Sequence, residues 1–313
     1  MKRNFGKIVV IGIAAIVLVP ILLYVEFQNG FYQKFRFEQR TERYLAQTYD
    51  ESMKVVSTRY LWDNIEPLVA TVQPASDPSL QFYVYVSKNR EKGLSDDYAT
   101  TLWKKQAKQE AESLLQTVQT EYARSIDIDF SCCKVAEYDY ASIHGEVPHY
   151  GTTGLPFDLV VNMERPAEEA DLANMYHSVT SLRESKSLLL DKLIFRFPHP
   201  VTGSTVSFEI PGEAMDGVSS VKEIEAYNVT RLPATYIAEE IRATLSWNEE
   251  KSEAVFKRGD ASLVVRSWGN EAIWNGTPLN DPIGAYIGDS MELQVPVLLI
   301  ERTFGQKLAL WSP

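Results

Sequence analysis

Eighteen consecutive residues, Ile8 to Val25, carry no charge and lie between Lys7 and Glu26. A helix rises about 1.5 Å per residue, so this run would be about 27 Å long, close to the hydrocarbon thickness of a bilayer. No polar stripe crosses it, as would be needed for one face of a soluble helix, and lipid tolerates Pro20 where water would not. The run ends in Leu22, Leu23, Tyr24, Val25, Glu26 and Phe27, with no pair of small residues for a signal peptidase. That favours an uncleaved anchor over a removed signal peptide. Lys2, Arg3 and Lys7 precede the run with no acid among them, which by the positive-inside rule places the N-terminus in the cytoplasm and everything after Glu26 outside. The expectation is a single-pass protein of the cell membrane, with residues 1–7 cytoplasmic, residues 8–25 in the lipid bilayer and residues 26–37 juxtamembrane.

The rest of the 313 residues must then fold outside, and 45% hydrophobic with 11% aromatic content suits a packed structure. A net charge of -11 excludes nucleic acid as a natural partner, because polyphosphate binding needs a basic face and no Lys/Arg cluster supplies one. The only cysteines, Cys132 and Cys133, are adjacent, so they cannot build a disulfide framework. In a strand they would point to opposite faces, one of them packing inward. A vicinal disulfide stays open, and a metal clamp is disfavoured without CxxC-like spacing.

Periodicity gives an α+β chain. "RFEQRTERYLAQTY" reads as a helix, followed by strands in "SMKVVSTRYLW", "PLVATVQ" and "SLQFYVYVS". "SDDYATTLWKKQAKQEAESLLQTVQTEYA" is an amphipathic helix with Ser95 and Asp96 as its expected cap. An antiparallel sheet covered by helices is the economical arrangement for this first unit, residues 38–125. The pattern returns over residues 126–226, with strands "IDIDFSCCKV" and "FDLVVNM", a helix over "AEEADLANMYHSVTSLRES", and a hairpin of "LLLDKLIFRF" and "STVSFEI".

Residues 227–313 hold an internal repeat. "LPATYIAEEIRATLSW" returns as "VPVLLIERTFGQKLALW", aligning Pro233 with Pro296, Ile237 with Ile300, Arg242 with Gly305 and Leu245 with Leu308. Each copy reads as a Pro-led helix running into a Trp-ended strand, and two copies imply a pseudo-symmetric domain in which they pack together. Strand and turn sequence lies between them: "SEAVFK", "RGDA", "SLVVRSW" and "AIWNGTPLNDP".

"LPATYIAEEIRATLSWNEE", "IWNGTPLNDPIGAYIGDSMELQVP" and "FGQKLALW" resemble the copper amine oxidase-like N-terminal domain of Gram-positive surface proteins, over about the last ninety residues. Arg242 stands where that family usually has glycine, and "IERTF" lacks the Ala-Glu of the first copy. The resemblance implies an accessory stalk, since copper and quinone belong to a separate catalytic domain. The chain also lacks the Asn-Tyr-Asp/Glu tripeptide and the His-x-His pair which that chemistry needs, so no amine oxidase activity and no cofactor are expected. The anchor, "ERYLAQTY", "FYVYVS" and "LSDDYATTLWKKQ" are similar to the YfjL-like tethered proteins of bacilli, which implies an outward α+β domain and no activity.

Other constellations point to no site. His144, Glu146 and His149 in "HGEVPH" have metal-ligand chemistry, but a Gly/Pro loop fixes no face and no third histidine is near. Asp96 and Asp97 suit a helix start, and Asp127 and Asp129 the outward face of a strand. "RGD", Arg258 to Asp260, falls at a hairpin tip where Gly-Asp is a good turn pair. No GxSxG, phosphate loop, dinucleotide fingerprint or HExxH occurs. The expectation is a non-catalytic extracytoplasmic module with no catalytic, cofactor or metal residues, binding a wall polymer or a surface protein. The alternative is a surface hydrolase with an unrecognised metal or carboxylate site.

Overall fold

Phe37, Thr41 and Leu45, four apart, form the buried stripe of helix α1 (Phe31–Thr48). The computed structural model describes residues 18–60 except 23 and 27, 68–87, 93–115, 123–130, 145–185, 188–250, 252–288 and 291–311. Gly30 precedes α1 with φ +57°, and a Cβ there would lie 2.5 Å from the Tyr60 ring, so glycine alone fits this break. The segment read as juxtamembrane is therefore helical, at Glu26, Gln28 and Asn29 before the Gly30 break and in α1 from Phe31 on. Of the uncharged run, residues 18–22, 24 and 25 are described and are helical; the rest of the expected anchor lies outside the described residues. Among the described residues no helix is long and apolar enough to cross a membrane.

The described chain divides into two compact units, Met1–Lys105 with Val135–Thr152 and Gln106–Lys134 with Thr153–Pro313. In the first, β1 (Met53–Tyr60), β2 (Leu68–Pro74), β3 (Phe82–Val86) and β4 (Leu94–Asp96) form an antiparallel meander in chain order. Ala70 and Val72 of β2 and Phe82 and Val84 of β3 are completely buried, the alternation expected of strands with one covered face, and α1 packs on β1 and β2. Helix α2 (Tyr98–Leu114) carries its buried stripe at Trp103, Ala107, Ala111 and the following Leu115. The end of the expected helix, from Gln116 to Tyr122, lies outside the described residues. Asp96 does receive the Tyr98 N–H at 2.9 Å. Ser95 does not cap the helix, because it is committed to β4 opposite Tyr85.

In the second unit β5 (Ala123–Phe130), β6 (Phe157–Met163), β7 (Leu190–Pro198) and β8 (Thr205–Pro211) lie side by side in that order. The expected β7–β8 hairpin is present, but β6 and β7 run parallel. A parallel pair needs a crossover, which helix α3 (Asp171–Ser185) provides. A seven-stranded antiparallel sheet follows, comprising β9 (Arg231–Pro233), β10 (Thr244–Asn248), β11 (Glu253–Arg258), β12 (Ala261–Arg266), β13 (Gly269–Trp274), β14 (Thr277–Ile287) and β15 (Leu293–Pro296), in the order β10-β11-β12-β13-β14-β15-β9. Asn275 and Gly276, at φ +48° and +82°, make the two-residue turn that joins β13 to β14.

The repeat appears as two strand–helix units, β9 with helix α4 (Ala234–Glu240) and β15 with helix α5 (Val297–Phe304). Pro233 and Pro296 are the two N-caps. The two strands pair antiparallel with each other, Leu232 opposite Val295, and Ile237 and Ile300 are both fully buried. The copies differ after the helix. The first enters β10, whereas residues 305–310 form no strand. There Leu308 and Leu310 are buried and Trp311 stacks on Phe208 of β8 with centroids 5.9 Å apart, so the tail lies against the neighbouring sheet. His199 holds the same tail, with Nε2 3.2 Å from the Ala309 carbonyl and Nδ1 accepting the Val201 and Thr202 N–H groups; burial lowers its pKa.

Arg242 and Gly305 both take left-handed backbone, φ +53° and +65°. After α4, the Arg242 N–H reaches the Glu239 carbonyl and the Ala243 N–H the Ala238 carbonyl, the paired bonds of a Schellman ending, which favours glycine at Arg242. Arg242→Gly should raise stability by about 0.5–1 kcal/mol, because the relief of left-handed strain exceeds the entropy that glycine adds to the unfolded chain. An unchanged or lower denaturation midpoint would show that the arginine side chain contributes as much as its backbone costs.

Candidate functional site: a polar cleft with an aromatic rim

Strand register builds a cleft of about 560 Å³ in the second unit. Arg196 of β7 is opposite Ser207 of β8, so both side chains leave the same face of that sheet. The β8 edge continues into the next segment: the Thr230 hydroxyl accepts the Ser207 N–H at 2.9 Å, and the Val229 N–H donates to the Ser207 carbonyl at 2.9 Å. One residue on, Arg231 faces Pro296 across the β9–β15 pair, while Tyr286 of β14 faces Gln294 of β15. Gln294 and Pro296 are two apart, so Arg231, Tyr286 and Gln294 share one face, and all three line the cleft with Arg196 and Ser207.

Each group is held differently. The Arg231 Nε–H donates to the Gly284 carbonyl at 2.8 Å and Nη2 to the Ile283 carbonyl at 2.5 Å. Its guanidinium lies 5.3 Å from the Tyr286 ring centroid. The β14 irregularity between Asn280 and Ala285 thus fixes the guanidinium plane, and Nη1 keeps no acceptor among the described residues. Gln294 is only 9% exposed, yet its amide has no hydrogen-bond partner among the described residues. Its amide atoms still reach the solvent of the cleft, so they are open to a ligand there. Arg196 is exposed and likewise unpaired among the described residues. Glu209, the one carboxylate among the described residues that line the cleft, is ion-paired with Lys192 at 3.2 Å.

Beside Tyr286 stands Trp268, ring centroids 6.3 Å apart. Trp268 is 73% exposed and has φ +60°. A large residue in left-handed backbone costs about 1 kcal/mol or more, and here no burial offsets it. Its N–H is fixed by the Ala285 carbonyl at 3.0 Å, so the ring projects from an anchored corner. A second cleft, of about 600 Å³, includes Leu189, Arg183 and Lys192, but Arg183 donates to the Val218 carbonyl and Lys192 pairs with Glu209. Asp191, Glu213 and Asp216 also line it, so its charge is acidic.

The residues weighed from the sequence are elsewhere. Glu146 and His149 are exposed, His149 Nδ1 accepting the Gly151 N–H, while His144, Cys132 and Cys133 lie outside the described residues. Among the described residues no group of three or more His, Cys, Asp or Glu side chains is placed to hold a metal ion. Asp96 accepts the Tyr44 and Tyr49 hydroxyls at 2.5 and 2.8 Å, and Asp97 the Tyr83 N–H at 2.6 Å. Burial, reinforced by the Asp96 charge, raises the pKa of both phenols, and burial raises that of Asp97. That pair fastens α1 and β3 to the start of α2. Asp127 and Asp129 do point outward from β5, and Asp127 accepts the Asn162 amide at 2.7 Å. Arg258 of the RGD turn is directed inward, to the carbonyls of Ile241 and Phe304 and the Gln306 amide oxygen, where it joins the C-terminal ends of α4 and α5. The cleft residues carried no local motif. The available signals were a glutamine inside the apolar "LQVP" and a tryptophan before glycine in "SWGN".

Comparison with known proteins bears on this same region. Residues 214–310 match the copper amine oxidase N-terminal domain. That domain is the non-catalytic part of its namesakes, and here it contains β9 to β15, and hence Arg231, Trp268, Tyr286 and Gln294. No curated protein matches the chain. Among solved structures, a DUF5037 family protein from Ruminococcus gnavus ATCC 29149 is similar at 10% identity, over 62% of this chain and 87% of that one, with a TM-score of 0.24.

Proposed function

We propose that the chain is a membrane-tethered, extracytoplasmic binding module without catalytic activity, whose pseudo-symmetric, stalk-like C-terminal domain holds a cell-wall polymer in the cleft. The observation that carries this reading is the Gln294 amide, unpartnered among the described residues and open to the cleft beside the free edge of Arg231. Ready-made donors and acceptors directed into a cleft are the mark of a ligand site. The tether is supported by the uncharged run and by α1, where Phe31, Tyr32 and Phe35 are exposed beside Lys34 and Arg36. Aromatic and basic residues of this kind settle at the headgroup level of a bilayer.

Full-length protein in detergent, sedimented with isolated Gram-positive cell walls, tests the reading. Wild type should co-sediment and Gln294→Ala should lose at least about tenfold in affinity, the loss expected for one or two hydrogen bonds. Failure of wild type to co-sediment would sink the proposal. Release of soluble wall fragments would instead favour the surface hydrolase, for which Asp129 and Asp158, register partners on β5 and β6, offer an acid pair.

A further inference from the structure

We infer that the cleft takes an anionic sugar, a polyol ring bearing a carboxylate or phosphate; the inference rests on the binding-module reading and names its ligand class. The chain as a whole repels anions, with a net charge of -11. Attraction must therefore come from local cations. Among the described residues, Arg196 and the Nη1 edge of Arg231 line one cleft with no protein acceptor, and Lys192 neutralises the one carboxylate that lines it. A guanidinium fits a carboxylate or phosphate through paired N–H donors.

The remaining lining suits a sugar ring. The Gln294 amide and the Ser207 hydroxyl can each donate and accept, as ring hydroxyls require. Tyr286 and the outstanding Trp268 offer flat apolar faces at the rim, against which the C–H face of a pyranose can lie. Trp268 keeps a costly backbone conformation in full view of solvent, which is unfavourable in the free protein and useful only against a partner.

Calorimetric titration of the full-length protein in neutral detergent would use trigalacturonate, glucose 1-phosphate and, as the uncharged control, maltotriose. At least one acidic ligand should bind about tenfold or more tighter than maltotriose, and Arg196→Gln should abolish that preference. The acidic ligand that binds better identifies carboxylate or phosphate as the natural group. Trp268→Gly retains the left-handed backbone without strain, so its thermal midpoint should hold or rise while binding weakens by about tenfold. Equal affinity for maltotriose and both acids would overturn the anionic class. An Arg196→Gln protein that retains the preference would overturn the assignment to this cleft. If no ligand binds while wild type still co-sediments with walls, the sugar inference fails and the module reading stands; if co-sedimentation fails too, both fall.

Discussion

Arg165→Ala is expected to lower the stability of the second unit by about 3–5 kcal/mol, because it leaves the Asp171 carboxylate buried without a counter-charge. Asp171 is 1% exposed at the start of α3. Arg165 meets it with both arms, Nη1 to Oδ2 at 2.8 Å and Nη2 to Oδ1 at 2.7 Å, and the Glu168 N–H adds a third bond at 2.8 Å. The same guanidinium donates to the Pro166 carbonyl at 2.9 Å, so it also fixes the loop that delivers the chain from β6 into the crossover helix. Arg165→Lys should recover less than half of the loss, since an ammonium cannot span both oxygens. Moderate salt should change the loss little, because a buried pair is weakly screened. Chemical denaturation followed by circular dichroism measures all three. A loss below about 1 kcal/mol for the alanine variant would place this pair with ordinary surface ion pairs.

Crossover and cleft differ in how far they could be read from sequence. The spacing of Leu172, Met175, Val179 and Leu182 marks α3 plainly, and a long helix between two strands permits a parallel pair. It does not require one, since the same elements also allow an antiparallel neighbour, and the choice is made by packing of α3 on the sheet. Helix starts were legible only where local chemistry set them. The prolines before α4 and α5 could be read as caps, whereas the start of α1 depends on Gly30 meeting Tyr60 thirty positions away. Tertiary register alone assembles the cleft. Arg196 and Ser207 meet through the β7–β8 hairpin, Ser207 reaches Thr230 through an edge contact, and Tyr286 and Gln294 meet across β14 and β15. Gln294 alone stands out among its immediate neighbours, and no spacing rule could have gathered the others around it.

Register also decides what the repeat contributes to stability. Ile237→Ala and Ile300→Ala should each cost about 2–4 kcal/mol, since both side chains are fully buried and truncation leaves a cavity as well as removing methylenes. The conservative Ile→Val changes should cost only about 0.5–1.5 kcal/mol each, which separates loss of packing from general intolerance of the sites. The two copies are expected to fail together, because among the described residues β9 has no neighbour in its sheet other than β15. A chain ended after Asp281 would lack β15 and α5, leaving Leu232 and Ile237 of the first copy without the strand and helix that complete their shelter. Arg258 reinforces the dependence, since its guanidinium reaches the Ile241 carbonyl after α4 and the Phe304 carbonyl at the end of α5, and truncation would remove the second of these. Thermal melts of the shortened and full chains decide the matter. If the shortened chain retained a cooperative transition for residues 227–281, β9 and α4 would be stable without their counterparts, and the repeat would be two independent units that happen to be adjacent.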